Sequence, residues 1–176
     1  MKKLVILIVF SVLAVLTSTA QKSVALHSNG TTTIFYGDTP LIEAYDASQS
    51  GDTLYVSGGS FAAPDTIDKG LVIMGAGYHP DSTSATQKTY LMYSGNIAIG
   101  DSASNLYMEG MEFQGGLEKP SAIATNLTII RCKINGGLDF KGSGSPTNSA
   151  IIQCDIIQGI VFQGFTYFVI SNCIIS

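Results

Sequence analysis

Four stretches of this chain lie on one another without a gap: LYMEGMEFQGGL, LTIIRCKINGGL, SAIIQCDIIQGI and FVISNCIIS. Their anchors, Met111, Cys132, Cys154 and Cys173, are spaced by 21, 22 and 19 residues. A repeat near this length marks a solenoid, in which each unit buries its apolar side only against its neighbours. Five residues before the anchor stand Leu106, Leu127, Ser149 and Phe168; three before it stand Met108, Ile129, Ile151 and Ile170. Two after it stand Phe113, Ile134, Ile156 and Ile175.

The steps −5 to −3 and 0 to +2 have the period of a strand, and the odd step between them demands a bend. A glycine follows at +5 in Gly116, Gly137 and Gly159, and a third apolar strand starts at +6 with Leu117, Leu138 and Ile160. Position +8 holds Lys119, Phe140 and Phe162. Three short strands and three turns per unit predict an all-β fold, a right-handed single-stranded parallel β-helix. Its coils stack about 4.8 Å apart. Leucine-rich repeats would need an asparagine-anchored leucine consensus, and helical repeats a 3.6-residue face; neither is present.

The corner before the anchor is held by Gly110, Arg131, Gln153 and Asn172. Gly and Asn suit a left-handed bend. Arg131 and Gln153 suit it less, so these two coils are expected to be imperfect there. The cysteines form one inward column continued by Met111, and read as small buried hydrophobes. Parallel, same-facing side chains bridge poorly, so three free thiols are expected. The paired spacing of a zinc site is missing, and no metal ligands are assigned.

Residues 1–20 have the form of a cleavable leader. Lys2 and Lys3 precede an apolar run from Leu4 to Leu16, and Ser18 and Ala20 fit cleavage before Gln21. The run is shorter than the roughly 20 residues of a membrane span. A lipid-anchored form is disfavoured, because the first cysteine is Cys132. The expected mature chain, 21–176, is one domain in the secreted space or at the cell surface, with no membrane span. Without Lys2 and Lys3 it carries seven basic against 13 acidic side chains. That balance argues against nucleic acid or an anionic membrane as partner. The short leader looks bacterial, so the sequons at Asn29 and Asn126 are read as coincidental.

Ahead of the repeats, Thr39 as N-cap and Pro40 at the first helical position predict a helix over about 39–50, with Leu41, Ile42, Ala44, Tyr45 and Ala47 on its apolar face. Leu54 and Val56 alternate as a strand, Gly58 and Gly59 turn, and Phe61 points inward; Leu71 and Ile73 suit positions −5 and −3 of another coil. The stretch LIEAYDASQSGDTLYVSGGSF followed by IDKGLVIMGAG resembles the opening of secreted proteins of the pectate-lyase-like β-helix superfamily. With the later coils, the resemblance covers about Thr39 to Ser176. It implies a capping helix over the first coil. It is weak for activity, because that superfamily contains lyases, glycoside hydrolases, epimerases and adhesins. Calcium enters only through this resemblance, and the clustered aspartates that pectate lyases use for it are missing. The regular coils are expected over about 105–176. The last stops after its second strand, with Phe168, Ile170, Cys173 and Ile175 facing an unfinished core. Further coils are therefore expected beyond Ser176.

On a β-helix, chemistry sits on outward side chains stacked between coils, or on the turns. Position +1 holds Glu112, Lys133, Asp155 and Ile174. Glu112 and Asp155, two coils and roughly 9–10 Å apart, stand at the wide edge for an inverting carboxylate pair, with Lys133 between them as a lyase base. The plainer reading of acid, base, acid is charge pairing on a solvated face. Positions −4 and −2 are apolar to neutral apart from Glu109; Tyr107 and Glu109 are the ligand-binding candidates, and Tyr93, Tyr107 and Tyr167 suit stacking on sugars. Arg131, the only arginine, lacks a partner acid of the lyase kind nearby in sequence, and His27 and His79 lie outside the regular coils, exposed. The polar loop Tyr78–Thr89 reads as a surface excursion that also has room for function. Two functions fit: an exported, polysaccharide-facing scaffold, or the N-terminal part of a polysaccharide lyase or glycoside hydrolase with its catalytic residues after Ser176.

Overall fold

Alternating apolar residues in short runs, broken by residues that accept a left-handed backbone, give three strands per coil in the computed structural model. It describes residues 22–79, 87–119, 124–141, 147–163 and 166–176; the leader lies outside them. The chain opens with a hairpin, β1 (Ser23–Ser28) and β2 (Thr31–Tyr36), and one helix, α1 (Pro40–Ala47). The first coil is β3 (Thr53–Val56), β4 (Gly59–Ala62) and β5 (Thr66–Ile67); the second is β6 (Val72–Met74), β7 (Thr89–Met92) and β8 (Ile97–Ile99). The third is β9 (Tyr107–Glu109), β10 (Glu112–Phe113) and β11 (Leu117–Glu118); the fourth is β12 (Thr128–Ile130), β13 (Lys133–Ile134) and β14 (Leu138–Lys141). The fifth is β15 (Thr147–Ile152), β16 (Asp155–Ile156) and β17 (Ile160–Gln163), and β18 (Thr166–Ser171) and β19 (Ile174–Ile175) form part of a sixth.

The strands stack into three parallel sheets. Sheet A runs β3-β6-β9-β12-β15-β18, sheet B β4-β7-β10-β13-β16-β19 and sheet C β5-β8-β11-β14-β17. The molecule is thus a parallel β-solenoid of about five turns. The expected register holds: Ile73, Met108, Ile129, Ile151 and Ile170 are successive partners in sheet A. Leu91, Phe113, Ile134 and Ile156 are successive partners in sheet B.

The regular coils begin at Thr53 rather than near residue 105. The connection 75–88, between β6 and β7, hides the second coil from a search for even spacing. Thr89, expected in a surface loop, is buried in the core wall. It pairs with Gly59 at the same level of sheet B, and its hydroxyl donates to Ser57 O at 2.9 Å.

Met111, Cys132 and Cys154 are buried inside the wall, Cys173 is half-buried, and all three cysteines are free. Each thiol donates to the carbonyl two residues before it: Cys132 to Ile130, Cys154 to Ile152 and Cys173 to Ser171, at 3.3–3.4 Å. Burial pushes the Cys132 thiol up to about 12 and the Cys154 thiol up to about 11. Neither thiol has the thiolate character that reactive cysteines need.

All four corners before the anchor are left-handed: Gly110 (φ 70°), Arg131 (50°), Gln153 (55°) and Asn172 (53°). The coils at Arg131 and Gln153 are therefore regular, contrary to the expectation from residue type. A second left-handed column, Asn105, Asn126, Asn148 and Tyr167 (φ 57–65°), turns sheet C into sheet A. Within it, Asn126 Nδ2 donates to Asn105 Oδ1 at 2.8 Å. This asparagine ladder accounts for Asn126, and the hairpin turn Asn29 (φ 49°)–Gly30 (φ 77°) accounts for Asn29, as an Asn-Gly hairpin turn demands. At the turn from B to C the coils approach so closely that a Cβ on Gly115 would lie 1.7 Å from Gly95 O.

Two elements close the first coil. Helix α1 buries Pro40, Leu41, Ala44 and Tyr45 over the open core. Thr39 makes no side-chain cap; its hydroxyl donates instead to Glu43 Oε1 at 3.0 Å. Lys69, from the first coil, donates to Tyr45 O (2.6 Å) and Ser48 O (3.0 Å), placing a cation on the helix C-terminus. The edge of sheet A is covered not by the helix but by the hairpin, which the sequence reading missed: β1 pairs antiparallel to β3. Lys119 shares its column with Ile99 and Phe140 and is buried, its ammonium donating to Ala124 O at 3.2 Å; burial lowers its pKa. Among the described residues, no helix is long and apolar enough to cross a membrane.

Candidate functional site

The corner between sheets A and B carries a groove, and the left-handed backbone explains its lining. A left-handed residue turns the chain in one step, and it costs a non-glycine residue about 1–2 kcal/mol. Arg131, Gln153 and Asn172 stand on successive coils at this corner, and all three border the groove. Its opposite side is Tyr78 and His79, from the connection 75–88. This part encloses about 550 Å³ and reaches Asp155 and Ile174. An adjoining part of about 280 Å³ runs beneath Gly75, Ala76 and Gly77 to Glu109. Tyr78, His79 and Arg131 border both parts, so the two adjoin at these side chains.

The 75–88 connection is pinned at its base. Gly75 N–H donates to Glu109 O and Gly77 N–H to Gly110 O, both at 2.8 Å. A Cβ on Gly75 would lie 2.3 Å from Gly110 O, so only glycine lets the strand end approach the next corner so closely. Ala76 N–H donates to Thr89 Oγ1 at 2.8 Å. The segment 80–86 lies outside the described residues.

Tyr107 and Glu109 come together: Tyr107 Oη donates to Glu109 Oε2, and Arg131 Nη2 donates to Glu109 Oε1. Arg131 thus has its acid one coil below, which sequence proximity concealed. The Glu109 side chain is 13 % exposed and that of Arg131 59 %, so the pair shows its cation to the groove. Tyr78 rises above the usual tyrosine pKa through burial and the charge of Asp155. It stays a neutral hydroxyl bearing an aromatic face, with His79 edge-on at 6.4 Å between ring centroids.

Glu112, Lys133 and Asp155 are register partners on β10, β13 and β16. Glu112 is buried, and its oxygens are occupied: Oε2 accepts from Lys88 Nζ at 2.6 Å and Oε1 from Asn135 Nδ2 at 3.0 Å. Burial pushes its pKa up, but the hydrogen bonds from Lys88 and Asn135 and the charges of Lys88 and Lys133 outweigh it, leaving it lowered. A carboxylate held ionised by two donors is suited to fixing structure rather than to delivering a proton. Lys88 and Asn135 were not picked out in sequence; Asn135 sits three residues past its anchor and Lys88 one before Thr89.

The three tyrosines separate. Tyr167 is 79 % exposed, whereas Tyr93 packs partly against the core and Tyr107 is half-buried. His27 lies on the hairpin, exposed and bonded to Thr32 Oγ1 at 3.1 Å; His79 is exposed as well, and borders the groove. Among the described residues, no three His, Cys, Asp or Glu side chains gather as a metal site. Glu109 and Glu112 are already held by Arg131 and Lys88, so the carboxylates here do not fit the calcium that the superfamily resemblance brings. No protein-family model matches the chain, and comparison with curated proteins and with solved structures finds no match.

Proposed function

We propose that this chain is an exported, pectate-lyase-like scaffold that holds a polysaccharide in the groove between sheets A and B. The observation that carries the reading is the column of Arg131, Gln153 and Asn172 facing Tyr78 and His79. Planar guanidinium and amide groups offer paired donors and acceptors to ring hydroxyls, and Tyr78 offers a face for a sugar ring. The groove follows the solenoid axis, so equivalent groups recur about every 4.8 Å, which suits a linear chain of repeating units. Two of these corners keep a long polar residue where Gly or Asn would be unstrained, as expected of a site that uses its side chains. Export is supported by the leader-like residues 1–20.

The test is affinity electrophoresis of the leader-processed chain through gels containing neutral and acidic polysaccharides. Arg131→Ala and Gln153→Ala should each weaken retention about tenfold, the effect of losing a hydrogen bond of roughly 1.4 kcal/mol. Equal retention of wild type and both variants, or no retention on any glycan, would sink the reading.

A further inference from the structure

The sequence contains two Asn-Gly pairs, Asn29–Gly30 and Asn135–Gly136. In such a pair the glycine sets no side chain in the way of its own amide nitrogen, which can attack the preceding carboxamide. The structure treats the two pairs in opposite ways. Asn135 lies in the fourth coil. Its Nδ2 donates to Phe113 O at 2.8 Å and to Glu112 Oε1 at 3.0 Å, and Gly136 N–H donates to Gly115 O at 3.0 Å. Nucleophile and leaving group are thus both tied to the coil before. A Cβ on Gly136 would lie 2.3 Å from Gly116 N, so the backbone has no room to rotate unless the coils separate. Asn29 and Gly30 form the exposed, left-handed tip of the hairpin. Asn29 Nδ2 donates only to Ser28 Oγ, at 3.4 Å, and Gly30 N–H meets no carbonyl among the described residues. The tight turn does not align the attack, so it has to open first. Opening here is local: Thr31, Thr32, Thr33 and Ile34 are exposed, and β2 is the outermost strand of its sheet, paired with β1 alone. Such segments lie at the low end of the local-unfolding scale.

We propose that Asn29 is a self-modifying site, where spontaneous deamidation loosens the hairpin that covers the edge of sheet A. Gly30 N forms a bond to Asn29 Cγ. The Cγ–Nδ2 bond breaks, and Nδ2 leaves as ammonia with the proton that Gly30 gives up. Water then opens the succinimide ring. Addition at the side-chain carbonyl yields aspartate; addition at the main-chain carbonyl yields isoaspartate, whose main chain is longer by one carbon. No electrons are transferred, and water is the only co-reactant. Either product places a carboxylate at the tip. Isoaspartate, in addition, cannot keep the two-residue turn that sets Ser28 opposite Thr31. Because β1 is the strand that covers β3, the conversion frays the protected edge at the closed end of the solenoid.

Peptide mapping of the leader-processed chain, aged in warm, mildly alkaline buffer with and without denaturing urea, tests this. Unfolded, both pairs should convert at similar rates. Folded, Asn29 should convert while Asn135 stays an amide, and an isoaspartyl methyltransferase should label the aged chain at Asn29 alone. Amide exchange should quicken in β1 and β2 of the isoaspartate form but not in an Asn29→Asp variant, whose main chain keeps its length. Equal conversion of the two pairs in the folded chain overturns the proposal. So does an Asn29 that folding protects as fully as Asn135, or an isoaspartate form whose hairpin exchanges as slowly as that of the unaged chain.

Discussion

Ile129 and Ile170 stand in the same inward row of sheet A, two coils apart, yet Ile129 is fully buried and Ile170 is 41 % exposed. The residue type is the same, the strand geometry is the same, and the thiol that follows three residues later is the same. Only the neighbours differ. Ile129 has a coil above and a coil below; Ile170 has one on a single side. At the opposite end, Leu54 in the first coil is also fully buried, because α1 and the hairpin stand where a preceding coil would. In a solenoid, dryness is conferred by the adjacent unit and not by the unit itself.

Alanine substitution probes that contrast most strongly. Ile129→Ala should destabilise by about 2–4 kcal/mol through lost burial and a trapped cavity, and Ile170→Ala by less than about 1 kcal/mol. Urea unfolding of both variants measures the difference, and equal losses would break the comparison.

A smaller effect is expected at the outer wall of the inner coils. Lys88→Met leaves the buried Glu112 carboxylate with Asn135 alone and should cost about 1–3 kcal/mol. The pH dependence has a definite sign. Because the folded pKa of Glu112 is lowered, its contribution is complete above the unfolded value of about 4.3 and is lost as pH falls through the folded value. Thermal melts of wild type should therefore fall more steeply below about pH 4.3 than those of Glu112→Gln. Parallel acid limbs would contradict this.

The smallest effect concerns the closed end. Lys69→Met removes the cation from the carbonyls of Tyr45 and Ser48 and should cost about 0.5–1 kcal/mol. Amide exchange should quicken in α1 and the first coil while the fourth coil stays protected. Uniform acceleration along the molecule would mean that the coils unfold as one block.

The repeat was readable wherever spacing was even. Met111, Cys132 and Cys154 announced the anchor column, and alternation around them fixed which side chains face inward. Thr89 escaped because the 75–88 connection separates it from Ile73, although it fills the same column. The asparagine ladder is legible as well: Asn105, Asn126 and Asn148 each stand six residues before an anchor, though as polar residues they leave no trace in the apolar pattern. Arg131 and Gln153 looked wrong for their corners because propensity was weighed alone; the stacked sheets on either side force the turn regardless of residue. The groove was not readable. Glu109 and Arg131 meet across 22 positions of sequence, and Tyr78 and His79 reach the same place by an excursion whose path no local pattern fixes.

That excursion has a wider consequence. Val72, Ile73 and Met74 keep their partners above and below, as do Tyr90 and Leu91, although a corner turned by a single left-handed residue in other coils is here replaced by 75–88. The scaffold's lattice is indifferent to how much chain is paid out at that vertex. The vertex is therefore an inlet for novelty: foreign loops grafted between Gly77 and Lys88, which keep the pinned base, should inherit a rigid wall on both flanks.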